Sequence, residues 1–336
     1  MSAPDNGKAL LRIGLVGAAG HVNYVTTGIA ELGDAALVAV APGCPAEDGA
    51  RLRKIGGETA TFYADYHDLL AQVLDIVAVS PLYYLHAEVT VAALRAGHAV
   101  YCEKPLALML ESLADVREAQ AASGLPIGIM LDFRYHPTFH TARRLVAEGV
   151  IGTPTVAYGQ KSYKRGNRPD FYRQRETFGG ITPWVGIHAI DWVRYVAGVD
   201  YRAVTSQHVK LHRPDYPDME DAATCIYELA NGGTAVMSFD FLRPAGAPTH
   251  GDDRLRILGE KGALEIREDC GLELITADGV QTIEPTPPPH GSFADFAFSV
   301  IDPSHTCITS TEDALRVTEI ALRTRDAADQ KVRVLL

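Results

Sequence analysis

A chain of 336 residues exceeds what one hydrophobic core usually organises, and a composition of 47% hydrophobic and 22% charged residues is that of a globular protein rather than a disordered or fibrous one. The formal net charge of −11 argues against a nucleic-acid or anionic-membrane partner, since both need a basic face. No apolar run reaches membrane length, and the polar stretch from Met1 to Lys8 lacks the apolar core of a signal peptide.

Taken in chain order, residues 11–16 form a short apolar strand that ends in Gly17 and leads into a helical stretch reaching Leu32. Strands are predicted at 36–40, 75–80, 98–102 and 127–131, with helices at 87–96 and 111–122 between the later ones. Short apolar strands alternating with amphipathic helices predict a parallel sheet with right-handed crossovers. After Asp132 the rhythm changes. Helices are expected at 137–148 and 182–196, and extended segments at 204–211, 224–229, 234–241, 255–258, 263–266 and 272–275. Turn signals such as Asn231-Gly232-Gly233 and Asp278-Gly279 join several of these segments, which predicts an antiparallel sheet. A proline-rich loop at 285–289 precedes two closing helices, near 293–301 and 312–328. The expected fold is therefore α/β: a Rossmann-type parallel-sheet domain over residues 1–131, then an α+β domain with a large, mostly antiparallel sheet over 132–336.

Gly17-Ala18-Ala19-Gly20-His21-Val22 follows a strand and opens a helix. In that context a glycine-rich turn sets a diphosphate on backbone N–H groups at a helix N-terminus. Read as G-x-G-x-x-G, the pattern has Ala19 and Val22 in place of the second and third glycines. The next strand runs into Ala41-Pro42-Gly43 with no acid to accept from an adenine ribose. Arg51, Arg53 and Lys54 nearby could meet a 2′-phosphate or could form a solvated helix face, so NAD and NADP both stay open. Cys44, Cys102, Cys225, Cys270 and Cys307 form neither a CxxC pair nor a zinc spacing, and read as reduced thiols in a cytoplasmic protein. Asp132, His136 and His140 recur at helical spacing, but Pro137 puts His136 at a helix boundary, and no metal site is expected.

The stretch from His98 through Glu103-Lys104-Pro105 places a lysine directly after a strand, at the carboxyl edge where an open parallel sheet binds its ligand. With the glycine turn, the Gly179-Gly180 to His188-Ala189-Ile190-Asp191 segment, the Glu220-Asp221 to Asn231-Gly232-Gly233 hairpin and the Gly259–Glu265 strand pair, this corner resembles the glucose–fructose oxidoreductase / inositol dehydrogenase / rhizopine-catabolism (Gfo/Idh/MocA) family over nearly the whole chain. The resemblance implies NAD or NADP as cofactor, a sugar, polyol or related small-molecule substrate, and assembly into homodimers or homotetramers. It implies cofactor contacts from Gly17, Ala19, Gly20, His21 and Val22, from Ser80 and His86, and from Glu103 and Lys104. Lys104 would stabilise a developing alkoxide and His188 would act as general base, because an imidazole titrates near neutral pH. Trp184 stands where the family often carries an acid, and would form an apolar wall that stacks on a sugar ring. Arg134 and Asp191 are the further substrate-side candidates, with Asp191 either orienting the imidazole or supporting local structure. Tyr163, Lys164, Arg165 and Arg168 lie in a polar stretch expected to be a loop. Besides hydride transfer, the pattern admits a non-redox reaction run through a retained NAD, or a non-catalytic dinucleotide sensor on the same fold.

Overall fold

The computed structural model describes residues 10–212, 214–267 and 271–336, so the Met1–Lys8 stretch and Cys270 lie outside the described residues. The chain forms two compact units. The first comprises the chain up to Ala107, Glu111–Met130 and His290–Leu315, and the second Leu108–Leu110, Leu131–Pro289 and Arg316–Leu336. The return of residues 290–315 to the first unit is a feature that a single crossing near residue 131 does not contain.

In the first unit the elements follow as β1 (Leu11–Val16), α1 (Val22–Leu32), β2 (Ala35–Ala41), α2 (Gly49–Gly56), β3 (Thr61–Phe62), α3 (Tyr66–Leu70), β4 (Ile76–Val79), α4 (His86–Arg95), β5 (Ala99–Cys102), α5 (Leu110–Ser123) and β6 (Ile127–Ile129). The six strands run in the order β3-β2-β1-β4-β5-β6, all parallel. β4 and β5 are apolar at every position and buried at every position, as strands covered on both faces must be. Strand order reverses beside β1, so the carboxyl ends of β1 and β4 flank the crevice in which such sheets hold ligands. α2, β3 and α3, at eight, two and five residues, are short elements not among those predicted from the sequence.

The second unit continues with α6 (Pro137–Ala147), β7 (Val156–Lys164), α7 (Arg175–Phe178) and a π-helical turn at Thr182–Gly186 that runs directly into α8 (Ile187–Ala197). β8 (Tyr201–Val209), β9 (Ala222–Leu229), β10 (Thr234–Arg243), β11 (Gly251–Gly259), β12 (Gly262–Arg267), β13 (Gly271–Thr276) and β14 (Gly279–Ile283) come next. The closing elements are α9 (Ser292–Ile301), α10 (Thr311–Gln330) and β15 (Val334–Leu335). The nine-stranded sheet has the order β14-β13-β12-β11-β7-β10-β9-β8-β15. Its pairings are antiparallel apart from β7 with β10. β9 alternates buried and exposed residues, so one face of the sheet is covered and the other open. α8 lies close on the covered face: a Cβ built on Gly159 would come within 3.2 Å of Val193.

β7 occupies the middle of this sheet, yet its inward row is Ala157, Gly159, Lys161 and Tyr163, which shows no hydrophobic alternation. The stretch expected to be loop therefore begins as a central strand as far as Lys164.

Returning to the first unit, α9 packs on α1 where Gly28 leaves room for Phe293; a Cβ there would lie 2.7 Å from the Phe293 Cβ. Phe293 is fully buried and meets Tyr101 edge-on at 5.1 Å. Truncating it opens a cavity that the sheet strands cannot close. Phe293→Ala is expected to cost about 3–5 kcal/mol, read as an earlier denaturant midpoint for the transition of the first unit.

Candidate active site

β1 delivers the chain into the glycine turn with a geometry that only glycine tolerates. Gly17 has φ +76°, and a Cβ on it would lie 2.2 Å from the Pro81 Cα. Its N–H donates to the Ala41 carbonyl at 2.8 Å, tying the turn to the end of β2. Ser80, directly after β4, holds the next residues: its carbonyl accepts from Ala19 N at 2.7 Å and its hydroxyl from Gly20 N at 3.1 Å. Ser80 is fully buried and so braces the turn from beneath.

Glu103 clamps the turn from the other side. Its side chain has no exposed surface, and Oε2 accepts from His21 N at 2.6 Å and meets His21 Nδ1 at 2.8 Å, while Oε1 accepts from Lys104 N at 2.9 Å. Burial alone would push this carboxyl up, but the His21 ring, the Lys104 charge and the His21 amide outweigh it and hold the group below the usual carboxylate range. The approach is close enough that a Cβ on Gly20 would fall 2.1 Å from Glu103 Oε2. The two retained glycines thus answer to Pro81 and to Glu103. At the third glycine position, Val22 turns its side chain into the core with Ile13, Leu15 and Val25, leaving its backbone as the part that can meet a ligand.

These residues fit a dinucleotide diphosphate. α1 is an eleven-residue helix whose N-cap, His21, makes no side-chain capping bond, and its first turn holds no acid. Such an end carries partial positive charge and amides suited to an anion. The family's corner follows at the end of β5. Lys104 is 2% exposed, and its peptide bond to Pro105 is cis. His86 is fully buried, with Nδ1 2.7 Å from the Pro105 carbonyl and Nε2 3.2 Å from the Pro81 carbonyl. Each ring nitrogen lies against a carbonyl, and a neutral ring, with one N–H, donates to one of the two, which holds His86 between the loops after β4 and β5. Burial pushes its imidazole below the usual value, with the two carbonyls opposing.

In the second unit His188 lies on the first turn of α8, 5% exposed, with Phe133 edge-on at 5.6 Å. Trp184 precedes it in the π-helical turn, half-buried, its indole edge-on to Tyr172 at 6.0 Å. Arg134 and Asp191 are found on each other. Arg134 Nε donates to both carboxylate oxygens at 3.0 Å and Nη2 to Oδ1 at 2.6 Å, with the side chains 3% and 1% exposed. The two residues expected on the substrate side thus form a buried ion pair that pins the segment after β6 to α8.

Two residues that sequence reasoning missed stand beside this region. Lys161 of β7 is 2% exposed and pairs through Nζ with Asp253 Oδ2 at 2.6 Å. The same Nζ lies 4.3 Å from the Phe133 ring centre and 4.7 Å from that of Tyr163. They line a cavity of about 490 Å³ together with His136, Phe139 and His250. Of the polar stretch, Tyr163 faces this cavity, stacked on His250 at 5.0 Å, whereas Lys164 bonds the Ala247 carbonyl and Arg165 pairs with Asp215 at 2.6 Å. His140 meets the Tyr195 hydroxyl at 3.4 Å and forms no ligand cluster with His136 and Asp132 among the described residues.

Removing one partner of the Arg134–Asp191 pair would leave a charge buried without its counter-ion. Arg134→Ala is expected to destabilise the protein by about 3–5 kcal/mol. The double variant Arg134→Met/Asp191→Leu should lose clearly less than Arg134→Met and Asp191→Leu summed, as thermal and chemical denaturation of all three would establish.

Comparison with known proteins follows the same division. Residues 11–129 match the family profile described as oxidoreductase family, NAD-binding Rossmann fold, and residues 139–265 match the Gfo/Idh/MocA C-terminal domain. A solved Thermotoga maritima protein described as an oxidoreductase is 34% identical, with a TM-score of 0.90 over 97% of this chain and 100% of that one. Inositol 2-dehydrogenase of Rhizobium meliloti is 27% identical over 84% of this chain and 83% of its own length. D-apiose dehydrogenase of Paraburkholderia graminis is 28% identical over 72% of this chain, and the chain spans 64% of that dehydrogenase's length. Among the described residues no helix is long and apolar enough to cross a membrane. The chain belongs to the Gfo/Idh/MocA family of oxidoreductases, whose N-terminal domain is an NAD-binding Rossmann fold.

Proposed function

We propose that this protein is an NAD(P)-dependent dehydrogenase or reductase acting on a CH–OH group of a sugar, polyol or related small molecule. The observation that carries the reading is the Glu103 clamp, which holds the glycine turn and the Lys104 corner together at the carboxyl edge of one parallel sheet. A bound nicotinamide supplies the hydride acceptor or donor. The chain's own residues handle the proton and the charge: His188 takes the hydroxyl proton in the oxidative direction, and Lys104 steadies the negative charge that develops on that oxygen. Trp184 offers an apolar surface to the ring of the substrate. The cavity at Lys161 and Asp253 supports a polyhydroxylated substrate, since aromatic walls accept C–H faces and a fixed ion pair offers both donors and acceptors to hydroxyls. Gly17, Ala19, Gly20 and His21 shape the turn under the diphosphate, their own amides held by Ala41, Ser80 and Glu103, and the first turn of α1 from Val22 receives it, with His86 bracing the neighbouring loops.

Assembly into homodimers or homotetramers in the cytoplasm completes the proposal. Its support is the open face of the large sheet, where Tyr158, Val236 and Ile226 are cross-strand partners in one row. Tyr158 is 47% and Ile226 55% exposed, an apolar stripe of the kind that a second copy covers. Ile226→Asp is expected to shift the protein to monomer in sedimentation analysis; unaltered assembly would place the interface elsewhere.

The reaction is tested by mixing the protein with NAD⁺ or NADP⁺ and a panel of sugars and polyols, following the near-ultraviolet band of reduced nicotinamide. That band is expected to grow with one substrate class. His188→Ala should cost about 10²–10⁴-fold in turnover and Lys104→Ala should abolish it, both with dinucleotide affinity retained. Full activity in either variant removes that residue from the chemistry, and cofactor binding without turnover on any substrate favours a sensor.

A further inference from the structure

The end of β2 has no acid, but the loop that follows folds one back onto it. Pro42 and Gly43 are buried, and Glu47 is half-buried. Glu47 Oε2 accepts from Gly43 N at 2.7 Å and Oε1 from Leu82 N at 2.5 Å, so its carboxylate ties the loop after β2 to the loop after β4. The approach is tight: a Cβ on Gly43 would lie 2.3 Å from the Pro81 Cβ. Because Gly17 N bonds the Ala41 carbonyl, this carboxylate stands at the edge shared by β2 and the glycine turn. A dinucleotide whose diphosphate rests at the start of α1 extends its adenosine ribose toward that edge.

The carboxylate is fixed by two amides, one on each oxygen, and each oxygen keeps a second lone pair. A ribose 2′-hydroxyl can donate to it. A 2′-phosphate, bearing roughly −1.5 to −2 charges, would meet like charge. Of the features that could offset this repulsion, the helix start and Arg53 are engaged, while Arg51 and Lys54 are exposed on α2. The N-terminus of α2 is capped by Asp48, whose Oδ1 accepts from Ala50 N at 2.9 Å and Arg51 N at 3.3 Å, so it presents a second negative charge instead of open amides. Arg53 lies flat over the Phe62 ring, 3.3 Å from its centre.

We propose that Glu47 selects the cofactor form without a 2′-phosphate, taking the place of the acid missing from the end of β2. The inference rests on the dinucleotide reading and deepens it.

The test titrates substrate-free protein with NADH and, separately, NADPH, reading nicotinamide fluorescence on binding. Wild type is expected to bind NADH more tightly by about tenfold or more. Glu47→Gln, which keeps the side-chain shape, should narrow that ratio mainly by gaining NADPH affinity. Equal affinity of wild type for both forms overturns the inference and leaves the dinucleotide reading standing. So does a Glu47→Gln variant that weakens both forms by the same factor, since a residue that only holds the loop would act so. Binding of neither form overturns the inference and the dinucleotide reading together. Where the variant fails to fold, equal wild-type affinity for the two forms still overturns the inference.

Discussion

A carboxylate with no exposed surface is costly unless donors surround it, and Glu103 meets that condition by organising its neighbours. It draws the His21 amide and ring from the glycine turn, and the Lys104 amide from the corner after β5. Each of these hydrogen bonds is to a charged acceptor, and so stronger than a neutral one. The consequence is geometric: turn and corner are set with respect to each other by one side chain, before any ligand arrives. The group's value is depressed, so the stabilisation it supplies is present above the ordinary carboxylate range and is lost as pH falls through the depressed value. Ser80 and His86 extend the same arrangement, one holding Gly20 from beneath and the other set between the Pro81 and Pro105 carbonyls. A site built this way uses short loops, yet each loop is held from two sides.

The second unit solves a related problem with aromatic rings. α8 must hold His188 on its first turn while resting on a strand whose inward face is Ala157, Gly159, Lys161 and Tyr163. Gly159 lets the helix approach, and Phe133, Phe139 and Trp192 pack into one cluster, with ring centres 4.9 to 5.3 Å apart. Lys161 is admitted to this interior because Asp253 neutralises it and the Phe133 and Tyr163 rings face its ammonium. The Arg134–Asp191 pair, one turn after His188, holds the middle of α8 to the segment after β6. The polar groups beneath His188 are therefore matched in pairs, and the helix is held by charge as well as by apolar packing.

The alternation of strand and helix up to Leu131 was readable because buried parallel strands are apolar throughout, and Ile76–Val79 and Ala99–Cys102 are of that kind. β9 and β10 were readable from alternation and from Asn231-Gly232-Gly233 between them. β7 was not, because a central strand whose inward residues are alanine, glycine, lysine and tyrosine carries no hydrophobic signal. Lys104 and His188 could be picked out by motif, yet the partners that settle what a side chain does lie far off in sequence. Arg134 and Asp191 could be singled out, but nothing in the chain marked them as partners of each other, 57 residues apart. Glu47 escaped notice because the expected acid belongs at the end of β2, and nothing in the chain marks a loop that folds back. The π-helical turn before His188 was equally silent, since i→i+5 bonding leaves no pattern distinct from an α-helix.

The account stands on the claim that the turn clamped by Glu103 seats a dinucleotide diphosphate at the start of α1. A crystal structure of the protein grown with saturating NADH tests it most directly. The account predicts diphosphate density against the first turn of α1, with the His21–Glu103 contact retained. A dinucleotide bound elsewhere, or no density at this helix end under saturating conditions, would contradict it.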